Sequence, residues 1–365
     1  MIKDPYKRLA ERLDALPNGF PPAKDGAELR LLEKLYTSEE AALAADLRLT
    51  LETPAQIASR LTEAGTESVD AQALRGLLKN MVGKGLITAG RTEGGLGYGL
   101  MPFVVGIYEA QIGRIDAELA RLFEDYYQES FRQVLTIQPA FHRVVPVGES
   151  VRMDMEIRPY ETASEILYHA QAWGVIDCIC RTQKALIGEA CPHPLDVCMI
   201  LSQKPGAFEG SPIVRSQTLE QALNTLQRAA EAGLVHSVSN VQEEISYICN
   251  CCTCACGILR GMAELGIANV VARSAFVNQV DEALCVGCED CIALCQFQAL
   301  SLRDGILQVS QTRCTGCGVC VSSCLEGALG LVRRPIEEIL PVPNHESDWR
   351  LQRSTARGLD MERVL

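Results

Sequence analysis

"CVGCEDCIALCQFQALSL", residues 285–302, and "CTGCGVCVSSCLEGALGL", residues 314–331, are one pattern written twice, 29 residues apart. Each half reads CxxCxxCxxxC. Three thiolates at that spacing wrap a tight loop around one cubane, and the fourth, carried past a helical turn, serves the neighbouring centre, so the halves exchange ligands. On this pattern Cys285, Cys288, Cys291 and Cys324 hold one [4Fe-4S] cluster, and Cys314, Cys317, Cys320 and Cys295 hold a second. Gly287 and Gly316 occupy the same loop position in each half, where a missing side chain lets backbone N–H groups approach sulfur. Between the halves, "LSLRDGILQV" predicts two short strands turning at Asp304-Gly305.

Residues 281–333 closely resemble the bacterial two-cluster ferredoxins. The resemblance implies two [4Fe-4S] clusters and one-electron transfer. One feature departs from the family: the proline that usually follows the fourth cysteine is Gln296 in one half and Leu325 in the other. No ligand is lost by this change, but the turn it normally fixes is altered.

The whole chain has 365 residues, which predicts several domains, and an apolar content of 47% with 22% charged residues, as in globular proteins. The N-terminal "MIKDPYKRLAERLDALPNGF" has no apolar signal-peptide core, and no later apolar run is long enough for a membrane span. A cytoplasmic location is the expectation. In that reducing setting 17 cysteines point to metal or redox chemistry rather than to a disulfide framework. The net charge of −12 disfavours nucleic-acid binding through overall electrostatics, leaving only a local basic patch as the alternative.

Near the N-terminus, "TPAQIASRL", "VDAQALRGLLKNMVGKGLI" and "TAGRTEGGLGYGLMP" predict helix, helix and a two-stranded hairpin, with Lys84-Gly85 closing the second helix. This order is similar to the winged helix-turn-helix domains of MarR-type regulators. Charge argues against a DNA reader: Arg60, Arg75, Lys79, Lys84 and Arg91 are cancelled by Glu52, Glu63, Glu67, Asp70 and Glu93. A docking role is the preferred reading. After it, "GIYEAQIGRIDAELARLFEDYYQESF" predicts an amphipathic helix with Ile112, Ile115, Leu119, Leu122, Phe123 and Tyr126 on one stripe, open to dimerisation or to packing on its own chain.

The middle of the chain carries the other nine cysteines. "VVPVGESVRM" opens it with strand-like alternation, and "PYETASEILYHAQAWGVIDCICR" predicts a helix and a short buried strand delivering Cys178 and Cys180. "TLEQALNTLQRAAEAGLVHSVSN" repeats helix then strand, with Thr218 as cap and Gly233 as stop. "ICNCCTCACGIL", residues 248–259, then places five cysteines in eight positions. Packing does not require nine neighbouring thiols. The expectation is a third metal site, either a further Fe-S cluster or a zinc ion, with a thiol/disulfide relay as the other option. The candidate ligands are Cys180, Cys191 and Cys198 with one or more of Cys249, Cys252 and Cys254. Adjacent Cys251 and Cys252 point differently, which suggests two sites. His193, between prolines in "CPHP", reads as a turn histidine with ligation as its alternative. The pattern "CICRTQKALIGEACPHPLDVC" followed by "ICNCCTC" is similar to a group of ferredoxin-like proteins of anaerobic bacteria, a resemblance that implies cluster binding and electron transfer but supplies no substrate.

The sequence therefore predicts an α+β multidomain chain: a helical start and winged helix (1–101), a helical connector (102–148), a cysteine-rich α/β domain (149–277), a two-[4Fe-4S] ferredoxin domain (278–333) and a tail (334–365). The expected function is electron carriage to or from a partner oxidoreductase or flavoprotein. The alternatives are a redox-sensing winged-helix transcription regulator and a reductase subunit acting on a disulfide or small substrate. No catalytic set is evident.

Overall fold

The computed structural model describes residues 4–63, 70–147, 150–151 and 157–360. Helices and several sheets alternate along the chain, giving a mixed α/β protein with fourteen α-helices among the described residues. It divides into two units, Met1–Gln138 with Arg350–Leu365, and Pro139–Trp349. No described helix is long and apolar enough to cross a membrane.

The first unit is mostly helical, with α1 (Pro5–Asp14), α2 (Ala27–Leu35), α3 (Ser38–Ala45), α4 (Pro54–Glu63) and α5 (Ala71–Gly83) followed by β1 (Ile87–Thr92) and β2 (Gly95–Leu100). Asp70 caps α5 by accepting from the Gln72 and Ala73 amides. At its other end Gly85 turns left-handed, and the Gly85 and Leu86 amides bond back to Val82 and Met81 at 2.9 and 3.0 Å. This satisfies the last carbonyls, as the Lys84-Gly85 signal predicted. β1 and β2 form an antiparallel hairpin in the register Ile87 to Leu100. The segment joining α4 to α5, 64–69, lies outside the described residues.

The long amphipathic helix expected over 106–131 is shorter. Gly113 adopts φ +78 and Asp116 accepts from the Leu119 amide, so the helix starts only at Ala117; α6 (Ala117–Tyr126) then runs on through a π-helical turn, Tyr127–Phe131, into α7 (Arg132–Leu135). A left-handed glycine and an N-cap outweigh the periodicity that runs through them. The stripe is covered by its own unit: Phe123 stacks on Tyr108 at 3.8 Å between centroids, and Tyr126 meets Phe20 at 4.7 Å.

The second unit is built on a seven-stranded sheet. Its strands are β3 (His142–Val144), β4 (Ala172–Ile176), β5 (Cys198–Ser202), β6 (Arg215–Gln217), β7 (Val235–Ser239), β8 (Tyr247–Cys251) and β9 (Val271–Ala272), in the spatial order β6-β4-β5-β8-β7-β3-β9. All neighbours are antiparallel except β3 and β9. Helices α8 (Ala163–His169), α9 (Ile179–Leu186), α10 (Leu219–Glu231) and α11 (Arg260–Ala263) accompany it. Ile166, Leu167, Ala222 and Leu226 pack with Met199, Leu201, Val238 and Ile248 to form its core. Of the predicted opening strand 144–153, residues 148–149 and 152–153 lie outside the described residues, and the strand that joins the sheet there is β3.

The cysteine repeat folds within the same unit. β10 (Phe276–Val280) pairs with β13 (Leu329–Arg333), and β11 (Leu300–Arg303) pairs with β12 (Ile306–Val309) through Asp304 and Gly305, both left-handed, as a two-residue hairpin turn requires. Between these strands lie the short helices α12 (Asp290–Leu294) and α13 (Val319–Ser322). The repeat is tied to the sheet domain by the Val147 amide on the Cys317 carbonyl, 3.1 Å, and by the Arg333–Glu161 ion pair at 2.7 Å. A last helix, α14 (Glu346–Arg357), buries Trp349 among residues of the second unit and Arg353 among those of the first.

Candidate metal centre

The two halves of the repeat use the same local device. Gly287 and Gly316 have φ of +69 and +71, and the following left-handed residues, Glu289 and Gly318, have φ of +70 and +76. The chain therefore curls back and then enters α12 or α13, carrying Cys291 and Cys320 on the first helical turn. A side chain at Gly316 would overlap the Phe276 carbonyl and the Ser274 hydroxyl, and a Cβ at Gly287 would lie 2.5 Å from the Gly305 carbonyl oxygen.

Cys285, Cys288, Cys291 and Cys324 surround one cavity of about 110 Å³, closed on its inner side by Leu302, Leu307, Ala328 and Leu329. Burial pushes the Cys291 thiol up to about 11, and the charges of Cys288, Cys324 and Cys285 act in the same direction. Cys324 comes from the second half of the repeat. The reciprocal arrangement holds for the other set: burial raises Cys320, with the charges of Cys317, Cys314 and Cys295 behind it, and raises Cys317 to about 12 beside Cys314 and Cys295. Here the contribution from the first half is Cys295. Asn278 donates to the Cys320 sulfur at 3.2 Å, and the Ala299 amide donates to the Cys295 sulfur at 3.3 Å.

The sets differ in exposure. Cys288 is exposed, and the apolar Leu284, Val286 and Leu325 stand open beside it. In the second set Cys314 and Cys320 are buried.

The nine middle cysteines are gathered by sheet register. Antiparallel pairing sets Ile176 opposite Cys198, Met199 opposite Ile248 and Val235 opposite Cys251. The end of β4, the start of β5 and the end of β8 thus meet at one end of the sheet. Cys249 and Cys251, two apart on β8, share one face. There they join Cys178, Cys180, Cys198 and Cys256 in a chain of thiol contacts running Cys198, Cys178, Cys180, Cys256, Cys251, Cys249. The contacts from Cys180 and Cys198 hold the Cys178 thiol well below its ordinary range, while the Cys178 contact and burial push Cys180 and Cys198 well above theirs.

Cys252, one residue beyond the strand, leaves this set and enters another. Cys191, His193, Cys252 and Cys254 bring four donor atoms within 4.8 Å of one another, an arrangement that can hold a metal ion. Cys254 Sγ lies 3.2 Å from Cys252 Sγ and 3.6 Å from His193 Nδ1, and Cys191 Sγ lies 4.0 Å from Cys252 Sγ. The six candidate ligands read from sequence are therefore divided, Cys191, Cys252 and Cys254 in this group and Cys180, Cys198 and Cys249 in the other. Adjacent Cys251 and Cys252 fall on opposite sides of the division.

Arg181 lies between the two groups and is buried. It donates to the Pro194 carbonyl at 2.9 Å and to the Asn250 carbonyl at 2.6 Å. Burial opposes its charge, but the Cys178, Cys252, Cys198 and Cys251 sulfurs more than offset this and raise its pKa. The ligand set read from the sequence does not include Cys178, Cys251 and Cys256, which the thiol chain takes in, and it gives ligation by His193 as the alternative to a turn residue. A signal was present: Cys191-Pro192-His193 and Cys252-Thr253-Cys254 are two arms with identical C-x-(C/H) spacing.

Gln296, which replaces the expected proline, connects the repeat to the middle cysteines. Its side-chain oxygen accepts from the Thr253 amide at 3.1 Å and the Thr253 hydroxyl at 2.8 Å, and its amide donates to the Gly233 carbonyl at 3.1 Å. The residue after Cys295 thus holds the residue between Cys252 and Cys254. No family model, curated protein or solved structure matches the chain.

Proposed function

We propose that this is an iron-sulfur electron-transfer protein, with two [4Fe-4S] clusters in a ferredoxin-like C-terminal module and further metal chemistry in the middle cysteines. The observation that carries this reading is the convergence of Cys285, Cys288, Cys291 and the cross-contributed Cys324 on a single cavity. The donor set fits the group: four soft thiolates against Leu302, Leu307, Ala328 and Leu329, with Glu289, Asp290 and Glu326 also lining the cavity. When bound, such clusters supply one-electron storage at potentials tuned by hydrogen bonds to sulfur and by solvent access.

The chain's own residues give the transfer a direction in space. The Cys285 set, with exposed Cys288 and the apolar rim of Leu284, Val286 and Leu325, faces a redox partner such as a flavoprotein or another oxidoreductase. Cys314 and Cys320 lie inward, and Gln296 leads from Cys295 to the Thr253 loop. Electrons so pass between surface and interior, where a redox-active metal held by the other middle cysteines, Cys178, Cys180, Cys198, Cys249, Cys251 and Cys256, would be the further acceptor or donor. In the repeat, Asn278 and the Ala299 amide stabilise charge on sulfur.

A second reading, a redox-responsive regulator, rests on the helix-helix-hairpin order of α4, α5, β1 and β2 and its similarity to winged helices. Against it, Arg60 is engaged by Glu52 and Lys84 by Glu40, and the acidic residues of the segment balance its cations in number. The test of the first reading is iron and sulfide analysis of anaerobically purified protein with EPR after reduction. At least about eight irons per chain and the coupled signal of two reduced centres are expected. A preparation without iron would refute it. Nanomolar sequence-specific DNA binding that switches with oxidation state would replace it with the regulator.

A further inference from the structure

The nine middle cysteines do not form one site. We propose that Cys191, His193, Cys252 and Cys254 are the four ligands of a single zinc ion, a closed Cys₃His site that is separate from every iron-sulfur ligand set and pins the cysteine loops in place. The proposal refines the metal chemistry assigned to the middle domain and stands whether or not the repeat carries clusters.

Distances decide between one ion and a cluster. A tetrahedral zinc with Zn–S of about 2.3 Å and Zn–N of about 2.0–2.1 Å sets neighbouring sulfurs roughly 3.8 Å apart and sulfur roughly 3.6 Å from nitrogen. The structure has sulfur pairs at 3.2 and 4.0 Å and a sulfur–Nδ1 separation of 3.6 Å. All four donors fall within 4.8 Å of one another. A cubane carries its thiolates on four different irons, which spreads them wider than ligands sharing one ion. The donor types agree, since three thiolates and an imidazole form an established structural zinc set with no open position for substrate.

Charge also balances. Binding releases the three thiol protons, and Zn²⁺ with three thiolates and a neutral imidazole carries one net negative charge. The buried Arg181 guanidinium supplies the compensating positive charge beside Cys252, and its bonds to the Pro194 and Asn250 carbonyls hold the two ligand arms. The ion joins a loop before β5 to the loop after β8. It therefore leaves Cys178, Cys180, Cys198, Cys249, Cys251 and Cys256 as a distinct six-thiol set and fixes the Thr253 loop that Gln296 grips.

Full-length protein purified anaerobically tests this by zinc and iron analysis together with zinc K-edge X-ray absorption. One zinc per chain in a shell of three sulfurs and one nitrogen is expected. Cys254→Ser and His193→Ala should lower zinc affinity by more than the roughly 10–100-fold that outer-shell substitutions cost, while His193→Cys restores binding with four sulfurs in the shell. Iron content should stay unchanged in all three. Absence of zinc from the wild type, whatever its iron content, would overturn the proposal, as would a zinc shell unaffected by His193→Ala. Because wild-type zinc is read directly, misfolding of a variant cannot stand in for either result. Iron is measured in the same samples, so loss of the iron reading and loss of the zinc reading remain distinguishable.

Discussion

Replacing Gln296 with alanine removes three hydrogen bonds between the repeat and the middle cysteines, to the Thr253 amide, the Thr253 hydroxyl and the Gly233 carbonyl. Side-chain hydrogen bonds of this kind contribute about 0.5–1.5 kcal/mol each, toward the low end where water can reach the freed groups, as at half-buried Thr253. Their joint loss is about 2 kcal/mol, which raises the local opening constant by roughly 30-fold. Residue-resolved amide hydrogen exchange on metal-loaded protein reads this directly. In Gln296→Ala the Thr253 amide should lose protection by about that factor, while Ile248, near the start of β8, stays unchanged. Gln296→Glu keeps the acceptor for Thr253 but loses the donor to Gly233, so Thr253 should remain protected. Gln296→Pro, the residue usual in two-cluster ferredoxins, should behave like alanine. Thr253 exchange within twofold of wild type in Gln296→Ala would refute the claim that this side chain couples the two cysteine regions. If the coupling also carries electrons, reduction of the middle site by the repeat should slow in the alanine and proline variants and not in the glutamate one.

Other expectations concern ligands, backbone and pH. Cys295→Ser should disturb the EPR signal of the Cys314, Cys317 and Cys320 centre more than that of Cys285, Cys288 and Cys291; the opposite pattern would mean that the halves do not exchange ligands. Gly316→Ala must force a left-handed alanine against the Phe276 carbonyl and Ser274 hydroxyl, so about half the iron of the repeat should be lost, and full iron with unchanged EPR would contradict the tight-loop argument. Burial holds His142 and His236 at about 4, against 6.5 for an ordinary histidine. The unfolded chain then binds protons first as pH falls, so stability is flat above about pH 7 and drops between 6.5 and 4, by about 2 kcal/mol per histidine from pH 7.5 to 5. Denaturant midpoints that fall with acidification in the wild type, and fall less in His236→Gln, are expected; identical slopes would remove His236 from the account.

Much was legible in the sequence because its information is local. The 29-residue repeat puts each cysteine of a CxxCxxC loop within one turn of the next, and the glycines at 287 and 316 announce the left-handed residues that such a loop needs. Likewise Thr218 and Gly233 bounded α10, Lys84-Gly85 ended α5, and Asp304-Gly305 turned the β11–β12 hairpin, since caps and turns are fixed by a few neighbouring residues. Periodicity alone misled at the connector, where Gly113 and Asp116 overrode a continuous apolar stripe. The partition of the middle cysteines needed the tertiary structure. The matching spacing of the Cys191/His193 and Cys252/Cys254 arms marks candidates, but it does not say which of Cys178, Cys191, Cys198 and Cys252 meet, because their neighbours are chosen by the register of β4, β5 and β8. A shift of one position past the end of β8 sends Cys252 away from Cys251 and toward Cys191 and His193, whose place in the site depends on a loop some 60 residues distant in sequence. Gln296 shows the same limit: in sequence it is only a missing proline, and its role exists only because folding brings Thr253 to it.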